Sequence, residues 1–239
     1  AIVLVGLVAL AIAMGIGRFA FTPLMPLMLR DGTLAVAAGA EWAAANYIGY
    51  LLGALTAARF AANPRRGLQL ALVGVALTTL AIVVTGPGTP PLVGALLRGA
   101  AGVFSAWALV CTSSWGLAEL ARRQVPQLGA WIYVGVGLGI ALAGTLAWLG
   151  GRQPARWLWL EMGLLASAGA LFVGLKLRDA GSAAAAAAAS PAAPPPPRAA
   201  AHGQLPLVLC YGTFGFGYIV PATFLPAMAR QQVADPLVF

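Results

Sequence analysis

The chain has 239 residues, of which 61% are hydrophobic and 8% are charged, and its mean hydropathy is +0.88. Soluble domains carry about 25% charged residues, so this composition excludes a soluble domain and predicts a multi-pass protein of the lipid bilayer. The formal charge of +8 comes from basic residues in short gaps between apolar stretches. Basic residues in such gaps orient membrane helices, and we expect no nucleic acid partner.

Seven segments are apolar over about the 20 residues that a membrane-spanning helix needs. They cover residues 2–29, 41–60, 68–85, 92–117, 128–149, 155–175 and 205–229. The gaps between the first six segments are short, so consecutive helices are predicted to run antiparallel. The sequence therefore predicts an all-α membrane protein.

The first and last segments are two copies of one pattern, separated by 200 residues. The identical pairs are Leu7 and Leu207, Val8 and Val208, Gly15 and Gly215, Gly17 and Gly217, Pro26 and Pro226, Met28 and Met228, and Arg30 and Arg230. A parallel repeat of this length is typical of a transporter built from two membrane bundles. We therefore expect the natural protein to be longer at both ends and to continue beyond Phe239.

This repeat divides the chain into three predicted parts. Residues 1–177 are predicted to form a six-helix bundle, and residues 204–239 the first helix of a second bundle. Between them, residues 178–203 are rich in alanine and proline, which predicts a cytoplasmic linker that is extended at the prolines and briefly helical at the alanines.

Lysine and arginine are concentrated on one side of the predicted membrane. Eight lie on one side (Arg59, Arg65, Arg66, Arg122, Arg123, Lys176, Arg178 and Arg198) and four on the other (Arg30, Arg152, Arg156 and Arg230). The side with more basic residues is predicted to be cytoplasmic. Trp148, Trp157 and Trp159 flank the gap between helices five and six on the opposite side, where an aromatic belt is expected.

Cysteine and histidine offer no site for catalysis or metal binding. Cys111 and Cys210 lie in apolar segments without partners at metal-ligand or disulfide spacing. His202, the only histidine, lies in the predicted linker. We predict no catalytic residue, no metal site and no cofactor.

Small residues recur at four-residue spacing in two segments. Gly49 and Gly53 form a GxxxG motif, and the fifth segment has a longer series at Gly135, Gly139, Ala143 and Ala147. Small residues at this spacing let helix backbones approach closely, so both series are predicted to be packing faces.

Two arginines lie deep within apolar segments. Arg18 precedes Arg30 by twelve residues, or ~18 Å at ~1.5 Å per residue, which places it near mid-membrane. Arg98 follows Pro91 by seven residues, or ~10 Å. An intramembrane charge indicates a functional site. Glu161, at a depth similar to that of Arg98, either pairs with Arg98 or reaches the outer interface.

The fourth segment resembles the major facilitator superfamily, because Arg98 is followed at four-residue spacing by Gly102 and Ala106. The gap after the second segment is similar to the superfamily's cytoplasmic loop signature, carried by Gly53, Leu55, Arg59, Arg65, Arg66 and Gly67. Ala57 stands where an aspartate is usual and the loop is longer. The stretches GIGRFAFTPLMPLMLRDG and AAANYIGYLLGAL more specifically resemble the bacterial YbfB/YjiJ-type branch.

The resemblance implies a fold of twelve helices, of which this chain holds the first seven, in a bacterial inner membrane. In this superfamily helices one, two, four, five and seven contribute to the central cavity or its gates, and helices three and six are peripheral. The residues expected to bind substrate or couple transport are Arg18, Thr22, Asn46, Tyr47, Arg98, Trp107, Tyr133, Tyr211 and Tyr218. This placement argues against a pair between Arg98 and Glu161.

The predicted function is secondary active transport of a small anionic solute by alternating access, without enzymatic activity. Two cavity arginines without a visible acidic partner favour an anionic or carboxylate-bearing molecule. One alternative is proton-coupled efflux of a drug or metabolite, with protons as the coupling ion. The other is a membrane-embedded lipid-modifying enzyme, although the acid-rich metal site or interfacial histidine that such chemistry needs is not visible in the sequence.

Overall fold

A computed structural model describes residues 1–187, 206, 209–215 and 217, and the side chains of residues 1–178, 206, 209–215 and 217. The chain forms two compact units, Ala1–Asp179 and Ala180–Phe239. In chain order the helices are α1 (Ile2–Leu10), a π-helical segment (Ala11–Phe19), α2 (Phe21–Arg30), α3 (Val36–Thr56), α4 (Ala58–Ala61), α5 (Pro64–Ile82), α6 (Pro91–Arg122), a 3-10 turn (Pro126–Leu128), α7 (Gly129–Leu149) and α8 (Ala155–Ala187).

Within the described residues, five helices are long and apolar enough to cross a membrane. They cover Ile2–Arg30, Pro64–Ile82, Pro91–Arg122, Pro126–Leu149 and Ala155–Arg178. The predicted second span corresponds to α3, which has 21 residues but is not among these five. Its mean hydropathy is reduced by polar residues that include Glu41 and Asn46. The predicted seventh span lies largely outside the described residues.

The helices that contain the two small-residue series each pack closely on another helix. A Cβ atom added at Gly49 or Gly53 of α3 would overlap the backbone of Gly99 or Val103 in α6. The residue numbers rise together along both helices, so α3 and α6 run parallel. This agrees with the predicted antiparallel order of consecutive spans, in which the second and fourth spans are parallel. The prediction that this GxxxG motif is a packing face is confirmed.

The longer series on α7 packs against the first span. A Cβ atom at Gly135 would overlap the backbone of Leu7, and one at Gly139 would overlap the backbone of Ala11. Ala143 and Ala147 on the same face are also buried. This packing prediction is likewise confirmed, and the first and fifth spans run parallel.

The third span runs antiparallel to its two neighbours. In α5, Gly67 lies against Cys111 and Gly74 against Phe104, so the residue numbers of α5 and α6 run in opposite directions. The amide of Gln69 in α5 donates a hydrogen bond to the carbonyl of Gly174 in α8, and Gly163 of α8 lies against Leu80 of α5, so these two helices are also antiparallel. Together these contacts place α5 between α6 and α8.

The end of α2 is tied to the turn between α7 and α8. The guanidinium of Arg30 donates hydrogen bonds to the carbonyls of Gly151 and Gln153 and pairs with Asp31 at 2.8 Å. Asp31 Oδ2 accepts a hydrogen bond from the backbone N–H of Ala155 at 2.6 Å. This contact satisfies one of the N–H groups that the first turn of α8 leaves without a helical partner.

One of the three predicted interfacial tryptophans is placed differently. Trp148 and Trp157 are about half exposed, at 55% and 47%, as residues of an aromatic belt would be. Trp159 is only 1% exposed, and its indole N–H donates to the sulfur of Met28. The prediction that Trp159 anchors the interface is wrong, because it lies on the face of α8 that packs against the first span.

Candidate functional site

Arg98 of α6 makes hydrogen bonds both to the backbone of the first span and to α3. Its Nη1 and Nη2 atoms donate hydrogen bonds to the carbonyls of Gly17 (3.1 Å) and Arg18 (2.9 Å). The carbonyl of Arg98 accepts a hydrogen bond from the side-chain amide of Asn46 in α3 at 2.9 Å. Arg98 and Asn46 are each only 2% exposed, so both contact protein rather than solvent in this conformation.

The local sequence explains why the carbonyl of Arg18 can accept a hydrogen bond from a side chain. Gly17 and Arg18 lie near the end of the π-helical segment, where each carbonyl would bond to the N–H five residues later. Five residues after Arg18 stands Pro23, which has no N–H. Unpaired backbone groups are costly away from water, and Arg98 supplies donors at this point.

The guanidinium of Arg98 also lies close to two aromatic rings. Its central carbon is 5.1 Å from the ring centre of Phe21 and 6.0 Å from that of Trp159. Cations over aromatic faces are attracted by the ring quadrupole, most strongly where water is excluded. The backbone carbonyls and the rings together offset part of the cost of burying this charge.

Arg18 lies in an aromatic cluster of its own. Its guanidinium carbon is 4.2 Å from the ring centre of Tyr50, 5.2 Å from that of Phe19 and 5.7 Å from that of Tyr47. Arg18 and the two tyrosines are partly buried, and the Nε atom of Arg18 is buried without a hydrogen-bond partner. A guanidinium with a free N–H is the group that binds carboxylates and phosphates through paired hydrogen bonds.

No carboxylate neutralises either arginine within the described part of the chain. Ion pairs in that part join Arg30 to Asp31 and the end of α6 to Glu119, and none involves Arg18 or Arg98. Of the two alternatives for Glu161, a salt bridge to Arg98 is therefore absent among the described residues. Those residues also contain no group of three or more His, Cys, Asp and Glu side chains that could hold a metal ion.

Trp107 is packed at the C-terminal end of α3. Its indole N–H donates to the hydroxyl of Thr56 at 2.9 Å, and its ring centre is 4.0 Å from that of Phe60. Phe104 contacts the same indole edge-on. These contacts connect α3, α4 and α6, and Trp107 is not in the cluster around Arg18.

The remaining predicted residues are dispersed. Thr22 is partly buried one turn after Arg18, and Tyr133 donates a hydrogen bond from its hydroxyl to Ser113 at 2.9 Å. Tyr211 is exposed in the second unit. Tyr218 lies outside the described residues. The structure thus brings together Arg18, Tyr47, Asn46 and Arg98 within one unit. That the predicted residues bind substrate or couple transport stays a prediction.

Two members of the cluster around Arg18 were not predicted from sequence. Tyr50 contributes the ring nearest to Arg18, and Phe19 is its neighbour in the chain. Tyr50 follows Asn46 by four residues, which places the two on the same face of α3. That spacing was available in the sequence and could have identified Tyr50.

The comparison with known families concerns the fold and the class of the protein. The chain matches the family described as "Uncharacterised MFS-type transporter YbfB" over residues 10–238. The chain belongs to this family. No match was found among the curated proteins or the solved structures.

Membership in the YbfB family confirms several predictions made from sequence. The resemblance to the major facilitator superfamily and its YbfB-type branch is confirmed, as is an all-α bundle of that type. The protein is a multi-pass membrane protein of a transporter family. The match describes the family as uncharacterised, so it assigns no substrate.

Proposed function

We propose that this chain is part of a secondary active transporter that moves a small anionic solute across the membrane by alternating access, with Arg18 as the residue that binds the anion. The observation that carries the proposal is the cluster around Arg18. A partly buried guanidinium there has a free Nε–H group and three aromatic rings nearby.

The energetic cost of the charge supports a functional role. A charge near mid-membrane costs at least about 2.5–3.5 kcal/mol on insertion scales, and proteins retain such charges mainly for function. Tyr50, Tyr47 and Phe19 offset part of this cost, because a cation over an aromatic face gains about 0.5–2 kcal/mol. An anionic solute would supply the remaining partner only while it is bound, which is the property a transporter needs.

Arg98 has a different role in this proposal. Its Nη1 and Nη2 atoms donate to the carbonyls of Gly17 and Arg18, and the residue is only 2% exposed, so it holds the backbone next to the site. Its Nε atom, like that of Arg18, is buried without a hydrogen-bond partner. Its charge also raises the local positive potential and favours an anion. We therefore infer that Arg98 positions Arg18 rather than contacting the solute in this conformation.

The offset of 200 residues between two similar segments supports the transport mechanism. Transporters with two parallel repeats bind solute near the midplane and rock one bundle against the other. The resemblance of this chain to a bacterial branch of the superfamily supports a location in a bacterial inner membrane. The proposal therefore includes alternating access, a bacterial inner-membrane location and the absence of enzymatic activity.

A ligand-induced stabilisation screen of the full-length protein tests the charge of the solute. Small carboxylates and phosphates, neutral analogues and organic cations would each be added to detergent-solubilised protein before thermal unfolding. A ligand present at about 100 times its Kd stabilises the folded state by about 2.7 kcal/mol. We expect stabilisation by one class of anions and its loss in Arg18→Gln.

A matched control separates binding at Arg18 from a general effect of charge. Arg152→Gln removes an arginine from the turn between α7 and α8, away from the cluster around Arg18. This variant should respond to anions like the parent protein. Stabilisation by cations or neutral compounds alone would contradict the proposal and favour proton-coupled efflux.

A further inference from the structure

A groove runs along the outside of the bundle between α5 and α8. Its volume is about 430 Å³, within the range of about 300–1,000 Å³ that ligand pockets have. Its walls are mostly apolar, with Val73 and Leu77 from α5 and Leu171 and Leu175 from α8, each between 49% and 64% exposed. The cluster around Arg18 contributes no residue to it.

Small residues create the groove where the two helices face each other. Ala76 of α5 and Ala170 and Gly174 of α8 form its floor, and the nearest atom to a Cβ added at Gly174 is Nε2 of Gln69, at 4.0 Å. A side chain at position 174 would therefore enter open space. In a bilayer this space cannot stay empty, because the surrounding lipid chains are free to fill it.

The length of the groove matches one leaflet of the membrane. Ser167 and Arg178 mark its two ends on α8 and are eleven residues apart, or ~16 Å at ~1.5 Å per residue. Half of the hydrocarbon core of a bilayer is ~15 Å thick. Arg178 is exposed and lies on the side that the count of basic residues predicts to be cytoplasmic.

We propose that this groove binds one anionic phospholipid from the cytoplasmic leaflet, with an acyl chain between α5 and α8 and the phosphate at Arg178. The apolar wall is complementary to the acyl chain of such a lipid, and the terminal cation is complementary to its phosphate. Basic pockets between helices on the cytoplasmic side are suited to anionic headgroups. A soluble anion would have no use for the apolar wall, and a cationic amphiphile would be repelled by Arg178.

Arg178 supplies the selectivity and the apolar wall supplies the fit. An acyl chain gains little from the groove relative to bulk lipid, because both surroundings are apolar. The attraction between an anionic lipid and one basic residue near the surface amounts to about a fivefold preference in affinity. Phosphatidylglycerol should therefore bind about five times more tightly than phosphatidylcholine.

Native mass spectrometry of the full-length protein in detergent, titrated with either lipid, measures this preference. We expect Arg178→Gln to remove the preference for phosphatidylglycerol and Arg178→Lys to retain most of it. Arg59→Gln is the matched control, since it removes an exposed basic residue on the same predicted side that does not line the groove. It should leave the preference intact.

A second pair of variants tests the groove itself. Gly174→Leu fills it and should reduce the tight binding of phosphatidylglycerol, whereas Gly137→Leu adds the same side chain to an open face of α7 and should not. Equal binding of the two lipids to the parent protein would overturn the proposal. So would equal effects of Arg178→Gln and Arg59→Gln, unchanged lipid binding in Gly174→Leu, or binding of glycerol phosphate as tight as that of the lipid.

Discussion

Replacing Gly53 by alanine tests the close packing of α3 against α6. An added Cβ atom would lie 2.6 Å from the carbonyl oxygen of Val103 and 2.8 Å from the Cβ atom of Ala106. Ordinary van der Waals contact begins at 3.4 Å, so the helices must separate locally by about 0.8 Å. A gap of about 0.5–1 Å forfeits a quarter to a half of the dispersion energy of each contact.

We expect this overpacking to lower the free energy of unfolding by about 1–3 kcal/mol. Gly137→Ala is the matched control, because a Cβ atom at Gly137 meets nothing within 4 Å. This control should stabilise the protein by up to about 1 kcal/mol, since alanine favours a helix more than glycine does. Thermal unfolding of both variants in one detergent, followed by tryptophan fluorescence, gives the comparison. Equal stability of the two variants would refute the packing argument.

Three further predictions concern other parts of the molecule. Tyr50→Leu should weaken solute binding by up to about 0.5–2 kcal/mol, because Arg18 loses the nearest ring that holds its guanidinium in the cluster, whereas Tyr50→Phe keeps the ring and most of the affinity, as titration with a stabilising anion would show. Asp31→Ala should lower stability by about 0.5–2 kcal/mol, because the N–H of Ala155 loses its acceptor, and Asp31→Asn should lower it less, as thermal unfolding would measure. An impermeant thiol reagent should label a cysteine at Thr89 from outside the cell but not one at residues 194–198, and the opposite pattern would reverse the predicted orientation.

Features that depend on spacing along one helix were predictable from the sequence. The positions of Gly49 and Gly53 at four-residue spacing identified a packing face, because such residues necessarily share one side of a helix. The depth of Arg18 and Arg98 in the membrane was calculated from the rise per residue and stays a prediction. Each of these predictions requires only the geometry of a single element.

Features that depend on contacts between helices were not predictable in the same way. The sequence indicated that Arg98 needs a partner, but not that the partners are the backbone carbonyls of Gly17 and Arg18. Those carbonyls lie near the end of the π-helical segment, which hydropathy does not reveal. Trp159 was misplaced for a related reason, since its position near a turn did not show that its side of α8 faces the first span.

The most direct test of the central claim is transport by Arg18 variants reconstituted in liposomes, with the amount of folded, monodisperse protein measured alongside. Arg18→Lys should transport the anionic solute with reduced affinity, because the charge remains while the paired N–H donors are lost. Arg18→Gln should fold normally and not transport, because removing an intramembrane charge also removes its insertion cost. If Arg18→Gln misfolds and the surviving protein transports at the normal rate, Arg18 is structural and the anion-binding account is wrong.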